Sequence, residues 1–191
     1  MGLDSHIWAY KYDEVSQYLK AAKYKQEFHH YRRLVRKLVK AIVTCIDLEQ
    51  IDLITCIPTS EKHLDERGFD HSEYLARMVG KKLHVPVRTL LTQAFDFVQV
   101  SSSTLERHKV PRYICTENIE GLRILLIDDV ATTRTSLNRS AQALKKCGAK
   151  SVDAATIAYQ ALMSRNHQIS LRNKRIMRTE NTIDTRVKNM I

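Results

Sequence analysis

The apolar positions of this chain change period several times, and each change marks a new element. From Asp13 to Phe28, Val15, Tyr18, Leu19 and Ala22 recur at helical spacing with no Gly or Pro between them, which predicts a helix. From His30 to Ile46, Leu34, Val35, Leu38, Val39, Ile42 and Val43 make an apolar stripe, with Arg32, Arg33, Arg36, Lys37 and Lys40 on the other side. Such a helix packs on a sheet and turns a cationic face outward. Ile51 to Ile57 reads as the first core strand, stopped by Pro58, which has no N–H to give a central ladder. A helix follows from about Asp70 to Leu83, begun by Asp70 or His71, with Tyr74, Leu75, Met78 and Val79 inward. Pro86 to Leu91 suggests a short strand, whereas residues 92–112 show neither period. Ile124 to Ile127 are four apolar residues in a row, which leave no face for water and predict a fully buried strand. Thr135 to Cys147 is helical again, with Leu137, Ala141 and Leu144 buried and Gly148 as the C-cap; Val152 to Ala158 is the next strand.

That strand–helix–strand order is a crossover unit, so the expected class is α/β: a doubly wound, mostly parallel sheet flanked by helices, with an N-terminal helical segment. By composition, residues 1–48 form a basic helical segment packing on the core and residues 49–162 the α/β core. Residues 163–191 form a basic tail without clear period, either a disordered arm or a short helix that folds on a partner.

The chemistry concentrates where the Ile124–Ile127 strand ends. Asp128 and Asp129 stand there side by side, followed by the hydroxyl-rich turn Ala131-Thr132-Thr133-Arg134-Thr135 and by Ser136, which opens the next helix. In open α/β sheets ligands bind beyond the carboxyl ends of strands, and a helix N-terminus there attracts anions through its free N–H groups. Carboxylates suit ribose hydroxyls, and turn amides with Thr hydroxyls suit a phosphate. A strand ending in acids before a Thr- or Ser-capped helix also occurs in α/β proteins that bind no phosphate, since these residues are good N-caps.

The acid-pair turn resembles the signature of the type I phosphoribosyltransferases, which bind 5-phosphoribosyl-1-pyrophosphate (PRPP). Within them the chain is most similar to the ComF group, tied to competence for DNA uptake. Three further stretches match that pattern in order and spacing: Ile57-Pro58 ending a strand, Glu66-Arg67-Gly68-Phe69 with Leu75-Ala76-Arg77 after it, and Gln99 followed by Glu106-Arg107. The likeness covers about residues 8 to 160. It implies a PRPP site formed by Asp128, Asp129, Ala131, Thr132, Thr133, Arg134, Thr135, Ser136 and Arg67, with the loop carrying Thr59, Ser60, Lys62 and His63 approaching the pyrophosphate. It also implies a flexible catalytic loop within 92–112, closing over PRPP to exclude water, from which Arg107 or Lys109 neutralises the departing pyrophosphate. A plain polar connection is the other reading of that stretch. Asp128, Asp129 and Arg107 are the catalytic candidates. Mg²⁺ arrives chelated by PRPP, near Asp128 or Asp129, and no residue set has the spacing of a metal site of its own; His29-His30 reads as part of a polar helix face.

This chain departs from the family at several points. Arg134 stands where the turn normally carries Gly, which usually serves a positive φ or a close approach to phosphate. Its guanidinium either adds a bidentate phosphate donor or crowds the turn. The family's Asn after Arg-Gly-Phe is Asp70, and an Arg expected near the Pro58 loop falls at His63. Longer ComF proteins also carry an N-terminal zinc-binding segment with Cys pairs, and this chain begins after that point.

Composition narrows the partners. At 191 residues the chain makes one domain with appendages. No stretch approaches the ~18 consecutive apolar residues of a membrane span, and Met1 to Tyr10 lacks the pattern of a secretory signal, so a cytoplasmic protein is expected. Cys45, Cys56, Cys115 and Cys147 are scattered, three of them within apolar segments, with no Cys-x-x-Cys pair. Residues 1–40 hold nine Lys/Arg against four Asp/Glu, residues 41–163 fifteen of each, and residues 164–191 seven against two, so all of the +10 net charge lies in the two ends. Basic flanks on a neutral body either meet a polyanion such as single- or double-stranded DNA or are solvated faces and tails. Two functions follow. One is a phosphoribosyltransferase acting on an unidentified acceptor. The other is a non-catalytic PRPP- or nucleotide-sensing protein that binds DNA in transformation or repair, alongside competence or helicase proteins. A homodimer is compatible with either.

Overall fold

The computed structural model describes residues 2–25, 27–60, 64–65, 68–99, 107–115 and 117–160, with hairpin side chains described for 91–94 and 112–115. In chain order the elements are β1 (Ser5–Lys11), α1 (Tyr12–Tyr24), α2 (His29–Cys45), β2 (Leu53–Cys56), α3 (His71–Leu83), β3 (Leu91–Gln99), β4 (Arg107–Cys115), β5 (Arg123–Ala131), α4 (Thr135–Lys146) and β6 (Ser151–Tyr159). Four strands form one sheet in the order β1-β6-β5-β2, every pairing parallel.

Each face of this sheet is covered, as a parallel sheet requires. On one side Ile54, Leu125, Ile127, Ala155 and Ile157 meet Val35, Leu38 and Ile42 of α2 and Leu75 and Val79 of α3. On the other, Leu53, Ile124, Leu126, Val152 and Ala154 meet Leu137, Ala141 and Leu144 of α4 and Leu91 and Tyr113 of the hairpin. Leu125, Leu126 and Ile127 have no exposed surface, and each such side chain contributes about 1.5–3 kcal/mol on burial. The doubly wound, mostly parallel sheet read from the sequence is the architecture found. Gly148 follows α4 at φ 97, the left-handed position that ends such a helix.

Three elements differ from the pattern-based reading. The first is β1, which no period announced: His6, Ile7, Trp8 and Ala9 are all buried, so neither alternation nor an unbroken apolar run is visible. His6 is accommodated by a 2.9 Å hydrogen bond between its Nε2 and Thr156 Oγ1, and burial pushes its pKa down to about 3, so it is neutral. The second is residues 92–112, which contain the two strands of an antiparallel hairpin rather than irregular chain, paired from Leu91↔Cys115 to Gln99↔Arg107. Conversely, Pro86 to Leu91 makes only one parallel bridge, Ile54↔Val87, before β3 begins. The third is β5, which runs past Ile127 to Ala131, so the acid pair lies within the strand and not after it.

Among the described residues, no helix is long and apolar enough to cross a membrane. The basic tail expected at 163–191 lies outside the described residues.

Candidate active site

β2 and β5 are neighbours in register from Leu53↔Ile124 to Cys56↔Ile127, so the loop after β2 and the acid pair of β5 emerge side by side. A cleft of about 330 Å³ opens there. Ile57, Pro58, Thr59 and Ser60 form one wall and Asp128 with Asp129 the floor, while His71 and Ser72 come from the first turn of α3. Gln93 and Tyr113 of the hairpin and Lys23 of α1 close the remaining sides.

The loop after β2 is held by Asp70. Its Oδ2 accepts from Thr59 N at 2.9 Å, while its Oδ1 accepts from Glu73 N at 2.9 Å and caps α3. The residue that departs from the family's Asn is thus engaged in positioning the loop, with both oxygens occupied by backbone donors.

The two acids occupy different environments. Asp128 accepts from Ser72 Oγ at 3.1 Å and from the Asp129 amide at 2.9 Å. Burial first, and the adjacent Asp129 second, push its pKa up to about 7; Lys23 and these two hydrogen bonds act in the opposite direction. Asp129 is buried and forms an ion pair through Oδ2 with Lys23 Nζ. Burial and the neighbouring carboxylate thus favour the neutral form of Asp128, whereas Asp129 is matched by a cation. Cys56, at the end of β2, has its thiol pushed well above the ordinary range by burial, which removes it as a nucleophile.

Beyond the acids lies the hydroxyl-rich turn. Arg134 sits at φ 59, the left-handed conformation for which the family's Gly is suited, and caps α4 with its backbone carbonyl accepting from Asn138 N at 2.9 Å. Its guanidinium lies over the Tyr159 ring, 5.6 Å from the centroid. Thr133 Oγ1 accepts from Thr135 N at 3.3 Å and lies 2.8 Å from Thr135 Oγ1. Thr132, Thr133 and Thr135 are exposed. None of Ala131 to Ser136 lines the cleft, but Ser136 is hydrogen-bonded to Tyr113, which joins the turn to the cleft wall.

Of the residues expected from the sequence, Asp128, Asp129, Thr59 and Ser60 line one cleft, with Ala131, Thr132, Thr133, Arg134, Thr135 and Ser136 adjoining it. Arg67 lies outside the described residues, as do Glu66, Lys62, His63 and Glu106; Arg107 is the first residue of β4, its side chain undescribed. Lys23, His71, Ser72, Gln93 and Tyr113 were missed. Nothing local separates Lys23 from Lys20 or Lys25 on the same helical stretch; Gln93 falls in the segment without period, and Tyr113 directly follows it. The acid pair offers hard oxygens suited to a divalent ion brought by a ligand. Away from the cleft, Glu27, His29 and His30 bring ligand atoms within 4.8 Å of one another, a grouping that the expectation of a plain polar helix face had set aside.

A family model described as the phosphoribosyl transferase domain matches residues 72–189. The competence protein ComFC of Bacillus subtilis (strain 168) is 33% identical over 104 residues, which are 53% of this chain and 42% of that protein. The chain therefore spans less than half the length of this curated relative. Among solved structures, a hypothetical protein from Neisseria gonorrhoeae with bound ppGpp aligns at TM-score 0.49 and 17% identity, over 82% of this chain and 71% of that one. A purine phosphoribosyltransferase from Pyrococcus horikoshii Ot3 aligns at TM-score 0.45 and 16% identity, over 68% and 80%.

Proposed function

Because this chain belongs to the phosphoribosyl transferase domain family, we propose that its cleft binds PRPP and transfers, or holds, the 5-phosphoribosyl group in a ComF-type role linked to DNA uptake. The observation that carries this reading is the convergence of Asp128, Asp129, Thr59 and Ser60 on one cleft beside a hydroxyl-rich turn that opens a helix. In this reading the ribose hydroxyls donate to Asp128 and Asp129, and the 5-phosphate takes the amides and hydroxyls of residues 131–136. The pyrophosphate lies against Thr59 and Ser60, with Arg67 and Arg107 as further contacts. Mg²⁺ enters with the substrate, chelated by PRPP, and the carboxylate oxygens of the acid pair suit it.

In the transfer step a base nitrogen forms a bond to C1 as the bond from C1 to the pyrophosphate oxygen breaks, and pyrophosphate leaves with that electron pair. Positioning and stabilisation of the leaving group supply the rate enhancement. The test is calorimetry with PRPP and Mg²⁺, followed by pyrophosphate release across a panel of bases. No heat of binding would end the PRPP reading, and binding without release would leave a sensor in place of an enzyme.

The cationic face of α2 favours a second reading, a DNA-binding accessory protein acting with competence or helicase proteins. Arg32, Arg33, Arg36 and Lys37 are exposed along one helix whose other side is buried. DNA affinity that does not fall with salt would exclude it.

A further inference from the structure

We propose that Glu27, His29 and His30, at the corner between α1 and α2, form a binding site for a divalent transition ion such as Zn²⁺. Among the described residues they are the one group of three His, Cys, Asp or Glu side chains whose ligand atoms gather, all within 4.8 Å of one another. His30 Nε2 is 3.0 Å from Glu27 Oε2, and the His29 and His30 rings stand with centroids 4.0 Å apart, tilted by 41°. An ordinary ion pair three residues apart would need only Glu27 and His30. The His29 nitrogen beside that pair is what a metal site adds. None of the three residues lines the cleft, so the site is separate from the acid pair and from the Mg²⁺ that PRPP brings.

Donor chemistry selects the ion. Two imidazole nitrogens and one carboxylate oxygen suit Zn²⁺, whereas Mg²⁺ prefers a shell of oxygens. Bonds of about 2.0–2.2 Å put tetrahedral neighbours about 3.4 Å apart, so the Glu27–His30 pair already stands near that separation. His29 is exposed, and a side-chain rotation can close the remaining gap of at most about 1.4 Å. The corner that carries these groups is held from several sides. Glu27 N donates to Ala21 O at 3.4 Å, and His30 N donates to Glu27 O at 3.1 Å. Phe28, between the ligands in sequence, packs its ring against Phe69 and Tyr74, with centroids 4.7 and 5.1 Å away. The His30 ring lies 5.1 Å from that of Tyr18. The corner is therefore ordered before any ion arrives, which lowers the cost of binding. Side-chain exposures of 41% for Glu27 and 21% for His30 leave room for water to complete the shell.

The decisive experiment is calorimetry on the full chain with Zn²⁺ alone, repeated with Mg²⁺ at the same concentration as competitor. Zn²⁺ should bind and Mg²⁺ should not displace it. Glu27→Gln and His29→Ala should each weaken Zn²⁺ about tenfold or more. Thermal melting without metal reports whether each variant folds, and His29, being exposed, is the position least able to disturb packing. Zn²⁺ at about 100 times its Kd should raise the melting temperature of the unsubstituted protein by about 5 °C or more. The same concentration should raise that of His29→Ala by about half as much or less. Affinity for Zn²⁺ unchanged in both variants, displacement by an equal concentration of Mg²⁺, or no binding to the unsubstituted protein would overturn the site.

Discussion

The floor and the rim of the cleft are built on different principles. The floor is the end of two adjacent parallel strands, β2 and β5, whose Ile54, Leu125, Leu126 and Ile127 have no exposed surface. Asp128 and Asp129 are carried there by β5, a strand paired with both β2 and β6, and Asp128 accepts a further hydrogen bond from Ser72. The rim is assembled from separate pieces. Lys23 comes from the last turn of α1, and Gln93 and Tyr113 come from a two-stranded hairpin that is not hydrogen-bonded to the main sheet. A hairpin of two strands has little stability of its own and depends on what it packs against; here that is α4, through the cluster containing Tyr113. Rigid placement thus belongs to the acid pair, and more separable pieces carry Lys23, Gln93 and Tyr113.

The largest effect should come from the floor. Replacing both acids, Asp128→Asn with Asp129→Asn, should weaken PRPP with Mg²⁺ by about 100-fold or more, since charge-assisted hydrogen bonds contribute about 1.5–3 kcal/mol each. Calorimetry checks it, and a loss below about tenfold would show that the floor does not dominate binding. Next, the hairpin should open at lower free energy than the sheet, with β3 and β4 amides exchanging about 100-fold faster than those of β5. Hydrogen exchange read by mass spectrometry tests this, and PRPP should slow the hairpin most if it closes over the ligand.

A smaller effect concerns Asp128 alone. Its folded pKa of about 7 lies above the ordinary carboxyl value of about 4, so between these limits the folded protein holds the extra proton. This group's contribution therefore makes stability fall as pH rises from about 4 to about 7, with no further change outside that window. Asp128→Asn removes the penalty. Its melting temperature should exceed that of the unsubstituted protein at pH 8, by about 2–4 °C for each 1 kcal/mol of the penalty removed, and match it below about pH 4. A stabilised variant that has lost its ligand would mark the acid as retained for binding and not for folding. The smallest effect is expected at Arg134→Gly. Relief of a left-handed residue, about 1–2 kcal/mol, is offset by loss of the contact with Tyr159, about 0.5–1 kcal/mol. Ribose 5-phosphate affinity should then change less than about threefold, because the guanidinium lies over Tyr159.

What could be read from the chain was whatever depends on near neighbours. Ile124 to Ile127 announced a central strand because burial on both faces leaves four apolar residues in a row, and the acids and hydroxyls that follow stayed contiguous in space. The start of α3 was legible through Asp70, whose side chain acts three residues away. Contacts across long stretches of sequence were not legible. β1 became a strand because β6, nearly 150 residues on, supplies its partner and Thr156 satisfies His6. The hairpin formed where the polar pattern was too weak to show a period. Lys23 entered the cleft because α1 packs against the same sheet whose β5 strand presents Asp129, a meeting of positions 106 residues apart. Local order thus followed from which residues adjoin in the chain. The charge of the cleft, and so its electrostatics, was decided only when the sheet brought together side chains that no sequence window contains.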